Sequence, residues 1–327
     1  MNELKKLGLK VIKIGTKKSS ADYKLNFGSV FFRKEVKKII KKEKLDLLHI
    51  QYISPWYGKY LLNMGLISLL KDTEIQVVVT LHEVQYSRKS SNIPQDLKFK
   101  ILQFIEKNIV KNSSKIIVHT PCQKKFLEGR YHVNNVDCVY MGLNLNKIKK
   151  KKPGKNILFF GMLNFGKGVE YLIRAMKYLP DFRLIVAGRA VRKDYKRLLM
   201  EEGKDLNNVN LHIGWVSEKD KRKYYENADV VVLPYVWAPY QSAVLHDAIS
   251  YGLPVVVTKV GAVWEIVELF KCGELIKARS SKAIAEGVKK VFRTYNRYKK
   301  GIEAYRREAN WEAAAKKHLE VYKRPRK

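Results

Sequence analysis

The chain has 327 residues, 46% of them hydrophobic and 29% charged, with 65 Lys and Arg against 31 Asp and Glu for a formal net charge of +34. The length suits two domains of ordinary size, and the apolar content excludes a disordered chain. Cys122, Cys138 and Cys272 stand far apart with no C-x-x-C pair, which argues against a zinc site or disulfide framework and fits a reducing cytosol. The basic residues cluster at 34–44, 148–155, 218–223, 297–300 and in the Lys-Arg-Pro-Arg-Lys tail, so they run the whole length of the chain. A nucleic-acid reader needs a localised stripe, and nucleic acid is therefore not the expected partner. Lysine-rich proteome bias accounts for the charge as well as attraction to an anionic membrane surface does.

In chain order, short β-branched runs alternate with helical patterns. Residues 10–15, 45–51, 75–82 and 114–120 read as strands, with helices at 33–43 and 97–111. Residues 156–161, 182–188, 209–214, 228–235 and 253–258 are near-continuous apolar runs, the pattern of buried parallel strands. Strand–helix alternation twice over predicts an α/β protein of two Rossmann-like, doubly wound domains. The polar, basic segment 142–156 contains Pro153-Gly154 and reads as a linker, placing domains at 1–148 and 149–308. An amphipathic helix is expected over 311–322, within a terminal segment 309–327. The N-terminus has no apolar secretory region, and the stretch 47–70 is broken by His49, Gln51, Pro55, Lys59 and Asn63. Neither a leader nor a membrane span is expected.

Three turns sit where strands meet helices. After NILFFG, Lys167-Gly168 opens a pattern whose Val169, Leu172, Ile173 and Met176 share one face. A helix N-terminus beside a lysine suits a phosphate, and Gly168 permits close backbone approach. After ADVVVLPY, Gln241-Ser242 precedes a second helix, with Ser242 as the expected N-cap. A third turn holds Gly261, with Glu265 in the following helix. In open α/β sheets, ligands bind at such carboxyl ends.

In order, these segments resemble the retaining GT-B glycosyltransferases of group 1, family 4. The resemblance is carried by FFG-x5-KG, LIVAG, HIGWVSEKDKRKYYENADVVVLPY and QSAVLHDAISYGLPVVVTKVGAVWE. In the first half, LDLLHIQY, VVVTLHEV, KIIVHT and YMGLNLN match more loosely, and NWEAAAKKHLEVY resembles the family's last helix, which crosses back to the first domain. The resemblance implies two domains facing a cleft and a nucleotide-diphosphate sugar as substrate, with no cofactor and no metal. It implies that Lys167 stabilises the leaving diphosphate and that His82 faces the transferred sugar, the two catalytic candidates. Gly161, Gly168 and the backbone of Gln241, Ser242 and Ala243 would hold the donor. Val216, beside Trp215, would lie against the base, and Asp247 stands where the family's ribose-binding glutamate does.

The chain departs from the pattern at three places. Pro239 replaces the first acid of Glu-x7-Glu, and Met162 stands where the family often has an arginine, so phosphate neutralisation would lean more heavily on Lys167, assisted by Arg189. The family's opening strand and glycine-rich loop have no counterpart before KVIKIG, and the start of the chain resembles only the end of the first helix. One βα unit is therefore expected to be missing, either by truncation relative to the functional form or in a divergent member with a reduced N-terminal sheet. The function implied is transfer of a hexose from a UDP- or GDP-sugar to a glycan or lipid-linked acceptor, in the cytoplasm, with peripheral attachment to the cytoplasmic membrane face as a further reading. A degenerate, non-catalytic binder of nucleotide-sugar is the alternative, and a basic nucleic-acid binder the second. His49, His119 and His246 read as structural, with His246 on a helix surface. Tyr52, Trp56 and Tyr57 read as core or surface residues, with an acceptor role as the alternative.

Overall fold

The computed structural model describes residues 1–29, 31–57, 63–86, 93–146, 154–238 and 241–324. Pro239, most of the 148–155 lysine run and the end of the basic tail lie outside them. The chain forms two compact units, Met1–Tyr140 with Trp311–Lys327, and Met141–Asn310.

The first unit contains β1 (Ile14–Thr16), β2 (Tyr23–Leu25), β3 (Leu47–Tyr52), β4 (Gln76–Leu81), β5 (Lys115–Val118) and β6 (Val136–Cys138). Strands β3 to β6 pair in chain order, all parallel, while β1 pairs with β2 in a separate parallel ladder. KVIKIG was expected as a strand over 10–15. Only its end is extended, and among the described residues no ladder joins it to β3. Side chains alternate across a strand, and the two faces of the sheet are covered differently. Val77, Val79, Leu81, Ile116 and Val118 pack in one cluster with Leu66, Leu69, Leu70, Ile105 and Ile109 of the helices Asn63–Asp72 and Ile93–Asn112. Val78, Ile117 and Val139 face the other way, against Ala314 and Val321 of the helix Trp311–Lys323. The amphipathic terminal helix is thus the second wall of this unit.

The second unit contains β7 (Asn156–Phe160), β8 (Arg183–Gly188), β9 (Val209–Ile213), β10 (Val230–Leu233), β11 (Val255–Thr258) and β12 (Gly273–Ile276). All are parallel, in the order β12-β11-β10-β7-β8-β9. Strand order reverses between β7 and β10, creating a switch point at their carboxyl ends. The division between units falls before the expected 148/149 and after the expected 308/309. Tertiary bonds draw residues 141–146 into the second unit. The Leu143 N–H donates to the Ala309 carbonyl at 2.8 Å, and Asn146 is held by Ser250 (2.8 Å) and Arg306 (2.9 Å). Among the described residues no helix is long and apolar enough to cross a membrane.

Candidate functional site

The carboxyl ends of β7, β8, β10 and β11 are tied together by backbone. Gly161 N–H donates to Ala187 O (3.0 Å), Leu163 N–H to Arg189 O (2.9 Å), and Val236 N–H to Gly166 O (2.9 Å). Two glycines make this closeness feasible. Gly168 has φ 63°, and a Cβ there would stand 2.2 Å from the Pro234 carbonyl oxygen; Gly261 has φ 57°, with the Ala238 oxygen 1.5 Å from such a Cβ. A side chain at either position would drive the loops apart. Gly161 serves the same rim, since a Cβ there would touch Val244 Cγ2 at 3.3 Å.

Lys167 ends a 3₁₀ turn, Phe165–Lys167, that Asn164 caps by accepting the Gly166 N–H. Only 8% of Lys167 is exposed, and Nζ sits 3.8 Å from the Tyr235 ring centroid. Burial brings its ammonium down to about 8. The helix after it, Val169–Ala175, does not present the expected N-terminal phosphate site. Its first N–H, on Val169, donates to the Tyr195 hydroxyl (3.2 Å), which in turn donates to the buried Glu170 carboxylate at 2.5 Å. That cluster is satisfied within the protein.

The helix Ala243–Ser250 differs. Ser242 precedes it but does not cap it, because its hydroxyl pairs with the Tyr235 hydroxyl at 2.9 Å. This corrects the expected N-cap and leaves the first-turn N–H groups without that acceptor. Gln241 is buried, and its Nε2 donates to Ala262 O at 2.5 Å. Its Oε1 is buried with no hydrogen-bond partner among the described residues. Tyr235 thereby links Lys167 to Ser242, with Gln241 and Ala243 adjoining. His246, expected on the helix surface, is 3% exposed. Its Nδ1 donates to Ser242 O (2.9 Å) and its Nε2 accepts from the Tyr305 hydroxyl (2.8 Å). Burial lowers it to about 4, so it is a neutral structural brace.

Asp247, one residue further, forms a 2.9 Å ion pair with Lys221. Burial raises its carboxyl above the ordinary value, while Lys221 opposes that shift. Lys221 belongs to the helix Glu218–Asn227, which follows Val216 and an 84% exposed Trp215. Gly214 ties that segment to Gly188 through a 3.0 Å backbone bond. Met162 is exposed, and Arg189 lies on the loop zipped to it. Sequence reasoning missed Tyr235, Tyr195, Glu170 and Lys221. Nothing in their spacing marks them, because each meets its partner across a different loop or helix.

In the first unit, His82 immediately follows β4. Its Nε2 lies 2.7 Å from Gln51 Oε1 and its Nδ1 3.2 Å from His119 Nε2, and burial lowers its pKa. The next residues are clamped. The Gln85 N–H donates to Glu106 Oε2 (2.7 Å), and Arg130 donates to Gln85 O (2.6 Å). Tyr52 and Tyr57 are buried and stacked on each other, so both are core residues, while Trp56 is exposed.

Comparison with known proteins matches this architecture. The model of the glycosyl transferases group 1 matches residues 143–308, and that of glycosyltransferase family 4 matches residues 7–147. An uncharacterised glycosyltransferase of Methanocaldococcus jannaschii is 36% identical over 180 residues, 52% of this chain and 45% of that protein. The match therefore spans under half of that relative's length. Among solved structures, sucrose-phosphate synthase from Thermosynechococcus elongatus has a TM-score of 0.72 at 22% identity, covering 89% of this chain and 76% of that one. An Anabaena protein solved in complex with UDP has a TM-score of 0.71 at 17% identity, covering 89% and 81%. These likenesses establish the α/β, two-domain GT-B fold.

Proposed function

The chain belongs to the glycosyl transferases group 1, and on that premise we propose that it moves a hexose from a nucleotide-diphosphate sugar to a glycan or lipid-linked acceptor. The observation that carries this reading is the buried Lys167 beside the uncapped helix Ala243–Ser250 at the switch point. A desolvated ammonium and a helix N-terminus supply positive charge where a diphosphate develops negative charge, and they do so more strongly than in water. Because Lys167 titrates near 8, it is mostly protonated at neutral pH, and a bound diphosphate would hold it so. Gln241 Oε1 offers a buried acceptor for a ligand hydroxyl. Asp247, oriented by Lys221, would accept from the ribose. Val216 and Trp215 would flank the base, and UDP is favoured because the Anabaena neighbour binds it.

The proposed chemistry is retaining. The bond from the anomeric carbon to the diphosphate oxygen breaks, the acceptor oxygen bonds on the same face, and its proton passes to the leaving phosphate. Lys167 stabilises the departing oxygens, so the scheme needs no metal and no cofactor. The place of action proposed is the cytoplasmic membrane face, to which the basic surface would be drawn. A second reading is a binder without turnover. It is favoured by the engagement of both His82 ring nitrogens inside their own unit.

Calorimetry with UDP, GDP and ADP in EDTA, on wild type beside Lys167→Ala, tests the donor site. Micromolar binding of one nucleotide that weakens at least about tenfold in the variant is expected. No binding by a folded wild type would sink the proposal. Binding without release of UDP from any UDP-sugar would favour the second reading.

A further inference from the structure

Five of the chain's seven histidines lie in the first unit, and three of them join a hydrogen-bond chain across the carboxyl edge of its sheet. The chain starts at the Val139 carbonyl beyond β6, 3.0 Å from His119 Nδ1. It passes from His119 Nε2 to His82 Nδ1 (3.2 Å), from His82 Nε2 to Gln51 Oε1 (2.7 Å), and from Gln51 Nε2 to His49 Nε2 (3.2 Å). His49 Nε2 also meets Thr80 Oγ1 (2.8 Å), and His49 Nδ1 meets the hydroxyl of Tyr322 (2.5 Å) in the C-terminal helix.

Counting hydrogens along this chain constrains it. A carbonyl oxygen only accepts, so His119 Nδ1 and His82 Nε2 each bear a hydrogen in this arrangement. A third hydrogen lies between His119 Nε2 and His82 Nδ1. Three hydrogens on two imidazoles make one positive charge, shared by the pair. The Gln51 amide can also sit turned over, with the same heavy-atom positions. Its Nε2 then donates to His82 Nε2, and the pair holds two hydrogens and is neutral, both on Nδ1. The turned amide presents Oε1 to His49, whose Nε2 then bears the hydrogen while Nδ1 accepts from Tyr322. In the first orientation His49 carries its hydrogen on Nδ1 instead.

We propose that Gln51 and His119 are positioning residues: they bind His82 into a pair that takes up a single proton, and the Gln51 amide turns over as it does so. Gln51 is exposed and able to turn, whereas His119 is buried and pinned to the Val139 carbonyl. The charged and titratable groups packed around the pair are Glu83 beside His82, Glu106 and Arg130 beneath Gln85, and His318 and Tyr322 against His49. Burial lowers His82 below its ordinary value and brings His49 to about 3. The shift at His82 favours the neutral pair with the amide turned over, and a negative ligand group at this edge would favour the charged one. The consequence for sugar transfer rests on the proposed role of His82, but the pair itself does not.

The test is the long-range proton–nitrogen spectrum of the full chain labelled with ¹⁵N-histidine, titrated between about pH 5 and 9. His82→Asn and His119→Asn assign the signals. In the neutral wild type, both rings should carry hydrogen on Nδ1, and on acidification they should respond together to one proton. Gln51→Glu places a fixed carboxylate against His82 Nε2 and should raise proton affinity of the pair by about 10- to 1000-fold. His82 with its hydrogen on Nε2 when neutral, two independent titrations, or an unmoved titration in Gln51→Glu would each overturn the proposal. Should that variant fail to fold, the wild-type tautomers decide. With a UDP-sugar substrate, the pH limb of kcat should move with the spectroscopic titration. A moved titration beside an unmoved limb would support the pair and refute the part of His82 in transfer.

Discussion

Replacing Lys167 with methionine keeps the length of the side chain and removes its charge, which separates the cost of burying that charge from its use. Lys167 is 8% exposed, and burial brings its pKa from 10.5 to about 8. At about 1.4 kcal/mol per unit, the charged form costs the folded state up to about 3 kcal/mol at pH 7. The Tyr235 ring, 3.8 Å away, offsets about 1–2 kcal/mol of it. Lys167→Met is therefore expected to stabilise the ligand-free second unit by about 1–2 kcal/mol at pH 7. The folded pKa lies below the unfolded one, so the penalty is complete below about 8 and fades as pH rises towards 10.5. The gain in the variant should shrink over the same window. Urea unfolding followed through Trp215, Trp237 and Trp264, with Trp56 and Trp311 replaced by Phe, reads the second unit. Nucleotide binding should be lost in the same variant. A less stable variant at pH 7, or a gain that does not change with pH, would refute the buried-charge argument.

Gly261→Ala should destabilise the second unit by about 2–5 kcal/mol, from left-handed backbone strain plus displacement of the Ala238 carbonyl; a loss below about 1 kcal/mol in the same urea assay would show that the loops yield easily. In the first unit, burial raises the carboxyl of Glu106 from 4.5 to about 7. Its contribution is full below 4.5 and lost as pH rises through about 7, by up to about 3 kcal/mol. Glu106→Gln keeps both hydrogen bonds and should flatten that fall, as thermal melts across the window would show. Asp247→Ala should weaken UDP binding about 10- to 100-fold, as for a lost hydrogen bond to a charged group, and Lys221→Ala less. If Asp247 holds the ribose, deoxyribose UDP should bind both proteins alike, and an equal loss with either nucleotide would remove Asp247 from that role.

Much of the fold is written in short-range pattern. The apolar runs that become β7, β8, β10 and β11 are legible because buried parallel strands exclude polar residues whatever their neighbours are. The alternation of Val77 and Val79 against Val78 likewise follows from the pleat. The strands β2, β6 and β12 went unread, being three or four residues long and mixed in character. Of the candidate donor residues, Gly161, Lys167, Gly168, Gln241 and Ser242 could be singled out because they sit at strand–helix turns of the sequence itself. Asp247, by contrast, lies inside the helix Ala243–Ser250 and was named only through the family resemblance.

Their physical states were not legible. Lys167 is buried because Tyr235 comes from another loop, Ser242 fails to cap because the same tyrosine takes its hydroxyl, and His246 is internal because Tyr305 covers it from a distant helix. The His82–His119–Gln51 chain needs three separate strands to end side by side. By itself, the sequence determined periodicity, turn chemistry and the order of elements, since these depend on residues a few positions apart. Only the tertiary structure decided burial, hydrogen-bond partner and protonation, since these are set by groups that chain folding brings from far along the sequence.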